Sequence, residues 1–587
     1  MVCIQHACKF VFSQSNSSCS NPDSNLLNFF VLENHDRKAT PKPVIRVGLL
    51  MNNFEVNYPY YHIIETLKNS GYATISLVVL NKQKKKITAG KIFNNLNSAF
   101  FHIYQRADKK LFRNKHNVLY SKDTKSLLSD VPVLEVDPLT KNYLQWIPEN
   151  DIEAIKSYNI DVFIRMGFRI LKGDILNSSR YGIWSYHHAD NKINRGGPPG
   201  FWEMFYTIPV TGTVVQQLSN DLDNGLLLAK TYGATHKFSL NRSRNSVYAK
   251  GMFLLPRLVE RLYEEGNAFI KSETGFPAVY SHKLYTGATN LQVAAFLLKM
   301  VPRSFLKYIQ QLLYRNQWFL LFGLTKNNTP QTSMRKLKKI NPPSGTFWAD
   351  PHVIFRDNRY YIFLEEKLFS RKNAHISVIT LDEKGNFSPA TKVLERPYHL
   401  SYPFVFSWQG HDYMIPESSS NKTIELYKCD EFPSVWTLQK AIMQDVIAVD
   451  CTLHEHNGTW YMFVNISQHA AMSKNDELHI YFSDSPIGNW QSHPKNPVVS
   501  DVRRARPAGK IFSFNNKLYR PSQDCSVTYG YGIRINEILE LSTHMYSEKE
   551  IDFIEPLWDE SIYGVHSFSF ENNLTLIDGF RKVPRWK

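Results

Sequence analysis

The chain has 587 residues, enough for more than one hydrophobic core, which excludes a single small binding module. Apolar residues make up 43% and charged residues 21%, the balance of a globular protein rather than a disordered or fibrous one. Lys and Arg outnumber Asp and Glu, 69 to 53, which favours phosphate-bearing partners or an anionic surface.

Residues 1–43 are rich in Ser and Asn, lack periodicity and end in KATPKP, the composition of a disordered lead-in. From Val44, VIRVGLLMNN reads as a buried parallel strand, PYYHIIETLKNSG as a helix with a Gly stop, and ATISLVVLN as a second strand. After a basic irregular stretch, VPVLEVD, ENDIEAIKSYN and IDVFIRMGF resume the alternation. Residues 44–240 are therefore expected to form an α/β domain with an open, mainly parallel sheet. Residues 241–344 read as a helical connector. Within it, Asn290 to Leu313 mixes apolar residues with Lys299, Arg303 and Lys307, which suits either packing between domains or a basic amphipathic face on a membrane surface. No apolar stretch reaches the roughly 20 residues of a bilayer span.

Beyond residue 345 the texture becomes short alternating strands, and a repeat emerges. FWADPHVIFRDNRYYIF, SYPFVFSWQGHDYMIPES, VDCTLHEHNGTWYMFV, RPAGKIFSFNNKLYRPSQD and VHSFSFENNLTLIDGF each join a polar start, a strand, a turn and a second strand. A period of about 50 residues is that of propeller blades, so residues 345–587 are expected to form an all-β, five-bladed propeller. Asp350, Glu417, Asp450, Arg506 and His566 should then converge at one mouth of its channel. Carboxylates gathered there suit glycosidic chemistry, in which one group stays ionised while another holds a proton. Arg506 and Arg520 would suit an anionic group.

Cys3, Cys8, Cys19, Cys429, Cys451 and Cys525 form no CxxC pair and no metal-ligand spacing, so no metal site is expected. Their sparseness points to a reducing compartment, hence to a cytoplasmic protein, peripheral to the membrane if the basic face is used. Phosphate-loop, dinucleotide and metalloprotease motifs are absent from the sequence, and basic runs such as KQKKK are too short to indicate a nucleic-acid partner.

Positions 182 to 202, GIWSYHHADNKINRGGPPGFW, place a polar cluster and a Gly/Pro turn at the carboxyl end of a strand, where open α/β sheets build sites. Gly182, His187, Arg195-Gly196, Pro199, Thr211-Gly212, Asp223 and Gly225 resemble, in order, the pattern of formyltransferases acting on methionyl-tRNA, glycinamide ribonucleotide and nucleotide-sugars. The resemblance implies 10-formyltetrahydrofolate as donor, with His187 and Asp223 as catalytic residues and Ser185 where the family has Asn. Arg195 and Gly196 would then bind substrate. WADP and GVHS resemble motifs of family 43 and family 32 glycoside hydrolases. HLSYPFVF, MIPES, NDELH, RPAG and YRPSQD resemble more closely the N-terminal propeller of plant glucosamine inositolphosphorylceramide transferases. Together these resemblances imply a carbohydrate-modifying protein, first as formyl or related acyl transfer to an amino sugar or nucleotide-sugar, with the propeller recognising a glycan or an anionic glycolipid carrier. Two rivals stand beside it: a propeller-based glycosidase or glycosyl transferase, and a non-catalytic glycan-binding protein with a degenerate formyltransferase site.

Overall fold

A computed structural model describes residues 42–83, 96–220, 225–273 and 280–586. The expected lead-in thus lies outside the described residues, save for 42 and 43, and so does Asp223. Strands β1 (Ile45–Met51), β2 (Ala73–Asn81), β3 (Val133–Val136), β4 (Val162–Arg165), β5 (Ile183–His187), β6 (Val210–Gln217) and β7 (Leu226–Ala234) form one sheet in the order β7-β6-β5-β4-β1-β2-β3. Pairs from β3 across to β5 are parallel, whereas β6 and β7 run antiparallel. The near-continuous apolar run of β1 has the cause expected of a parallel strand, burial on both faces. Val47, Leu49 and Met51 join one core with helix α1 (Tyr58–Lys68), and Leu50 joins the core on the opposite face.

Helix α2 (Ala99–Leu111) and the later helices α3 (Leu240–Gly251), α4 (Leu254–Glu265) and α5 (Asn290–Leu313) flank this region. Helix α5 opens with a capping box in which Thr289 and Gln292 satisfy each other's backbone N–H groups.

The expected connector does not extend to 344. Residues Tyr314–Leu324 form β8, which pairs antiparallel with the last strand along its whole length, from Tyr314 opposite Pro584 to Leu324 opposite Leu574. The sequence alone concealed this because the pairing partner lies near the far end of the chain.

The remainder is a succession of antiparallel sheets. Strands β9 to β12 (Thr346–Arg356, Arg359–Leu368, His375–Asp382, Thr391–Leu394) form one, and β13 to β16 (Ser401–Trp408, His411–Ser418, Thr423–Glu431, Val435–Met443) the next. Strands β17 to β20 (Ala448–His456, Thr459–Ile466, Glu477–Ser483, Gln491–Ser492) and β21 to β24 (Phe512–Phe514, Lys517–Asp524, Gly532–Leu541, Tyr546–Ile554) follow. A last sheet joins β8 to β25 (Phe568–Glu571) and β26 (Leu574–Pro584). Each sheet packs an apolar face on the next, as with Phe404, Ile415 and Leu426 against Leu453 and Met462.

Val44–Lys587 forms a single compact unit. The two regions are clamped by buried charges. Arg257 of α4 makes a two-pronged ion pair with Glu477 of β19, and Lys250 of α3 lies 3.3 Å from Asp476.

Candidate functional site

The polar cluster of the α/β region is bonded to backbone and side-chain groups of that same region. His187, the last residue of β5, places Nε2 2.6 Å from the carbonyl of Asn194. Ser185, two residues earlier on the same face, is buried and accepts a hydrogen bond from Arg165 Nε at 2.9 Å. Arg195 donates from Nε to the Asn191 carbonyl and stacks over the Tyr280 ring. Gly196 is required by packing, since a Cβ there would meet the Tyr285 carbonyl oxygen at 1.7 Å. His188 is sealed between Tyr186 and Tyr248, and burial pushes its imidazole down to about 3. The cavity at its edge holds about 10 Å³, room for one water.

Between β1 and β4, where strand order reverses, Asn52 accepts from the Phe168 N–H, and a Cβ on Gly167 would lie 2.5 Å from the Asn52 nitrogen. His187 and Ser185 are thus hydrogen-bonded within the fold, and Asp223, the other residue expected to act with them, lies outside the described residues.

In the second region the outcome differs. Strands β9, β13 and β17 each break register near their start, between Ala349 and His352, Ser401 and Phe404, and Val449 and Thr452. At these bulges Asp350, Tyr402 and Asp450 adopt positive φ, at 51°, 44° and 53°. Such a conformation is uncommon for non-glycine residues and costs of order 1 kcal/mol or more. Bulges of this kind re-aim side chains. Here they turn Asp350 and Asp450 into a buried polar centre rather than into the sheet faces.

Asp350, His566 and Asp578 form one half of that centre. Asp350 Oδ1 accepts from the Ser567 hydroxyl at 2.9 Å, and its Oδ2 from the Tyr402 N–H at 3.3 Å. The His566 Nδ1 lies 2.7 Å from Asp578 Oδ2, and its Nε2 3.3 Å from Asp350 Oδ1. Trp318 of β8 stacks on the imidazole at 4.0 Å, and Tyr529 meets it edge-on.

Asp450, Arg506 and Glu417 form the other half. Arg506 donates to both Asp450 oxygens, at 2.6 and 3.0 Å, and reaches Glu417 Oε2 at 3.4 Å and Asn475 at 2.9 Å. Gln523 adds a further bond to Asp450 Oδ2 at 2.6 Å. The half-exposed Tyr529 ring lies over the Arg506 guanidinium at 5.0 Å and so roofs both halves.

The electrostatics follow from crowding acids out of water. Burial pushes the Asp450 carboxyl up to about 7 against the pull of Arg506, with Glu417 adding to the rise. Burial pushes Asp350 up to about 6; His566 opposes the rise while Asp450 and Asp578 add to it. Glu365 is held well above the usual carboxylate range by burial and by Asp350 and Glu417. Asp578 moves the other way: burial would raise it, but His566 holds it below that range. His566 is itself raised, its burial outweighed by Asp578 and Asp350. The ligand atoms of Asp350, His566 and Asp578 lie within 4.8 Å of one another, and these are the residues that could hold a cation. A protonated His566 supplies positive charge at that point.

Asp350, Glu417, Asp450, Arg506 and His566 are thus brought together, and Arg520 is not. Its guanidinium is buried in a two-pronged pair with Glu548, an outer-strand residue, and donates to the Arg504 carbonyl. Sequence reasoning missed Glu365, Tyr402, Gln523, Tyr529 and Asp578. A signal existed for some: the same number of residues separates Asp350 from Glu365, Tyr402 from Glu417 and Asp450 from Asn465, so each second strand returns a polar residue to the same level.

Residues 328–564 match the family described as glucosamine inositolphosphorylceramide transferase 1, N-terminal. The glucosamine inositolphosphorylceramide transferase 1 of Oryza sativa subsp. japonica is 35% identical over 209 residues, covering 35% of this chain and 28% of that protein. Its Arabidopsis thaliana counterpart is 33% identical over 242 residues, 41% of this chain and 31% of that one. The chain therefore spans under a third of the length of these relatives. Among solved structures, glycinamide ribonucleotide transformylase 1 from Symbiobacterium toebii aligns with 38% of this chain and 88% of its own (TM-score 0.26, 14% identity). The family 117 glycoside hydrolase Zg3597 from Zobellia galactanivorans aligns with 45% and 90% (TM-score 0.30, 11% identity). These two relatives are named glucosamine inositolphosphorylceramide transferase 1, which gives no support to formyl transfer.

Proposed function

We propose that the second region is a five-bladed propeller whose channel mouth handles one sugar unit, and that the chain serves glycosyl transfer in the building of a charged glycolipid. The observation that carries this reading is the junction of Asp450, Glu417 and Arg506. An acid that still holds a proton near neutral pH, beside a second carboxylate and under an aromatic ring, is the equipment for proton management at a glycosidic oxygen. Tyr529 offers the apolar face of the sugar a platform. Asp350 and Glu365 face the same centre and can accept from its hydroxyls. The family match to the region that holds these residues supports the glycolipid context.

A second reading is favoured by the saturation of Asp450, whose oxygens already accept three hydrogen bonds from Arg506 and Gln523. On that reading the mouth binds the glycan without turning it over. Calorimetry and turnover with glucosamine-bearing and other sugar donors separate the two. Binding with turnover that Asp450→Asn abolishes supports catalysis, binding alone supports recognition, and neither across a broad sugar panel sinks both.

A further inference from the structure

We propose that helices α2 and α5 form an interfacial platform that seats the protein on an anionic lipid bilayer. Helix α5 spans 24 residues, yet only Val293 and Phe296 are buried, against Tyr104, Phe201 and Trp202. Further along, Leu298, Val301, Phe305, Tyr308 and Leu312 recur at three- and four-residue steps, which places them on one face of the helix. That face is turned to solvent, Leu298 at 77% and Phe305 at 61% exposure. Helix α2 packs beside α5 and adds exposed Phe100, Ile103 and Leu111. Isolated exposed apolar residues are ordinary in proteins, but a row of five along one helix, with three more on the helix packed beside it, marks an interaction surface.

The charge around the stripe selects the occupant. On α2, exposed Arg106 and Lys110 lie within about 60° of Ile103 around the helix, with Lys109 between them in sequence; on α5, exposed Lys299, Arg303 and Lys307 follow at four-residue steps on the side away from the stripe, Lys299 over the Phe205 ring and Lys307 over the Phe238 ring. Helix α5 has no acidic residue. The one acid of α2, Asp108, is buried and accepts from the Asn241 N–H. Two neighbouring helices that expose apolar rows and carry only cations among their exposed charges fit the plane of a negatively charged membrane surface. A second copy of the chain fits less well, because pairing this face with itself would bring like charges together. No helix among the described residues is long and apolar enough to cross a membrane.

This surface is independent of the sugar site, and the test keeps the two apart. The full chain is floated with phosphatidylcholine vesicles, with and without phosphatidylserine. Binding to the phosphatidylserine vesicles, weakened by salt, is expected. The Leu298→Gln/Phe305→Gln variant should lose it, and Arg106→Gln/Lys109→Gln/Lys110→Gln should weaken it at least about tenfold. Asp450→Asn should float as the unaltered chain does. No flotation with either vesicle, or variants that float unchanged, would overturn the proposal. So would a dimer, seen by light scattering, that the Leu298→Gln/Phe305→Gln change dissociates.

Discussion

His187 and Asp450 stand in similar places, each a polar residue near one end of a buried strand, and their fates are opposite. The imidazole of His187 is spent on a carbonyl seven residues away, whereas Asp450 is held by the side chains of Arg506 and Gln523, 56 and 73 residues further along the chain, among an excess of acids that must share protons. A polar motif at a strand end becomes a site only where tertiary packing leaves charge unresolved. Where a nearby backbone group answers it, the same motif is structural.

That contrast can be broken most forcefully at Arg506. Arg506→Ala leaves Asp450 buried beside Glu417 without its cation, and a loss of about 3–5 kcal/mol in unfolding free energy is expected in urea titrations. Arg195→Ala, which removes a surface-side contact, should cost under about 1 kcal/mol in the same assay. If the two losses were equal, the buried centre of the second region would hold no special charge.

Next in size is chemistry. If the mouth is catalytic, Asp450→Asn should lower turnover on a sugar donor at least about 100-fold while circular dichroism shows an intact fold; His187→Ala should leave turnover within about twofold. A reversed pattern would return the function to the α/β region.

The smallest expected effect is in pH. Asp350 and Asp450 have folded values of about 6 and about 7, both raised above the ordinary 3.8. Each therefore contributes stability that is full below about 4 and declines as pH rises through its folded value. Unfolding followed from pH 4 to 8 should show this fall, and Asp350→Asn and Asp450→Asn should flatten it. Turnover that needs the Asp450 proton should likewise decline above about pH 7.

Much of this architecture was legible in the residues. The apolar run at Val44 gave the parallel sheet, and five polar starts about 50 residues apart gave the series of antiparallel sheets. Asp350, Glu417, Asp450, Arg506 and His566 were found because they follow the repeat. Tyr529 was not, because it lies in the connection from the second strand to the third, outside the strand pair that carries the visible repeat. Arg520 was misread because the direction of a side chain depends on which face of its strand meets Glu548, and that acid comes from a strand two positions away in the sheet.

The sequence by itself therefore determined the two kinds of sheet and the cadence of the acids, since periodicity and local turn chemistry are properties of neighbours along the chain. Only the tertiary structure decided that β8 completes the last sheet, that three bulges aim acids inward, and that His187 is already answered. Those outcomes depend on groups tens to hundreds of residues apart, or on how a loop folds back, and on the free energy of taking charge out of water, which no local pattern encodes.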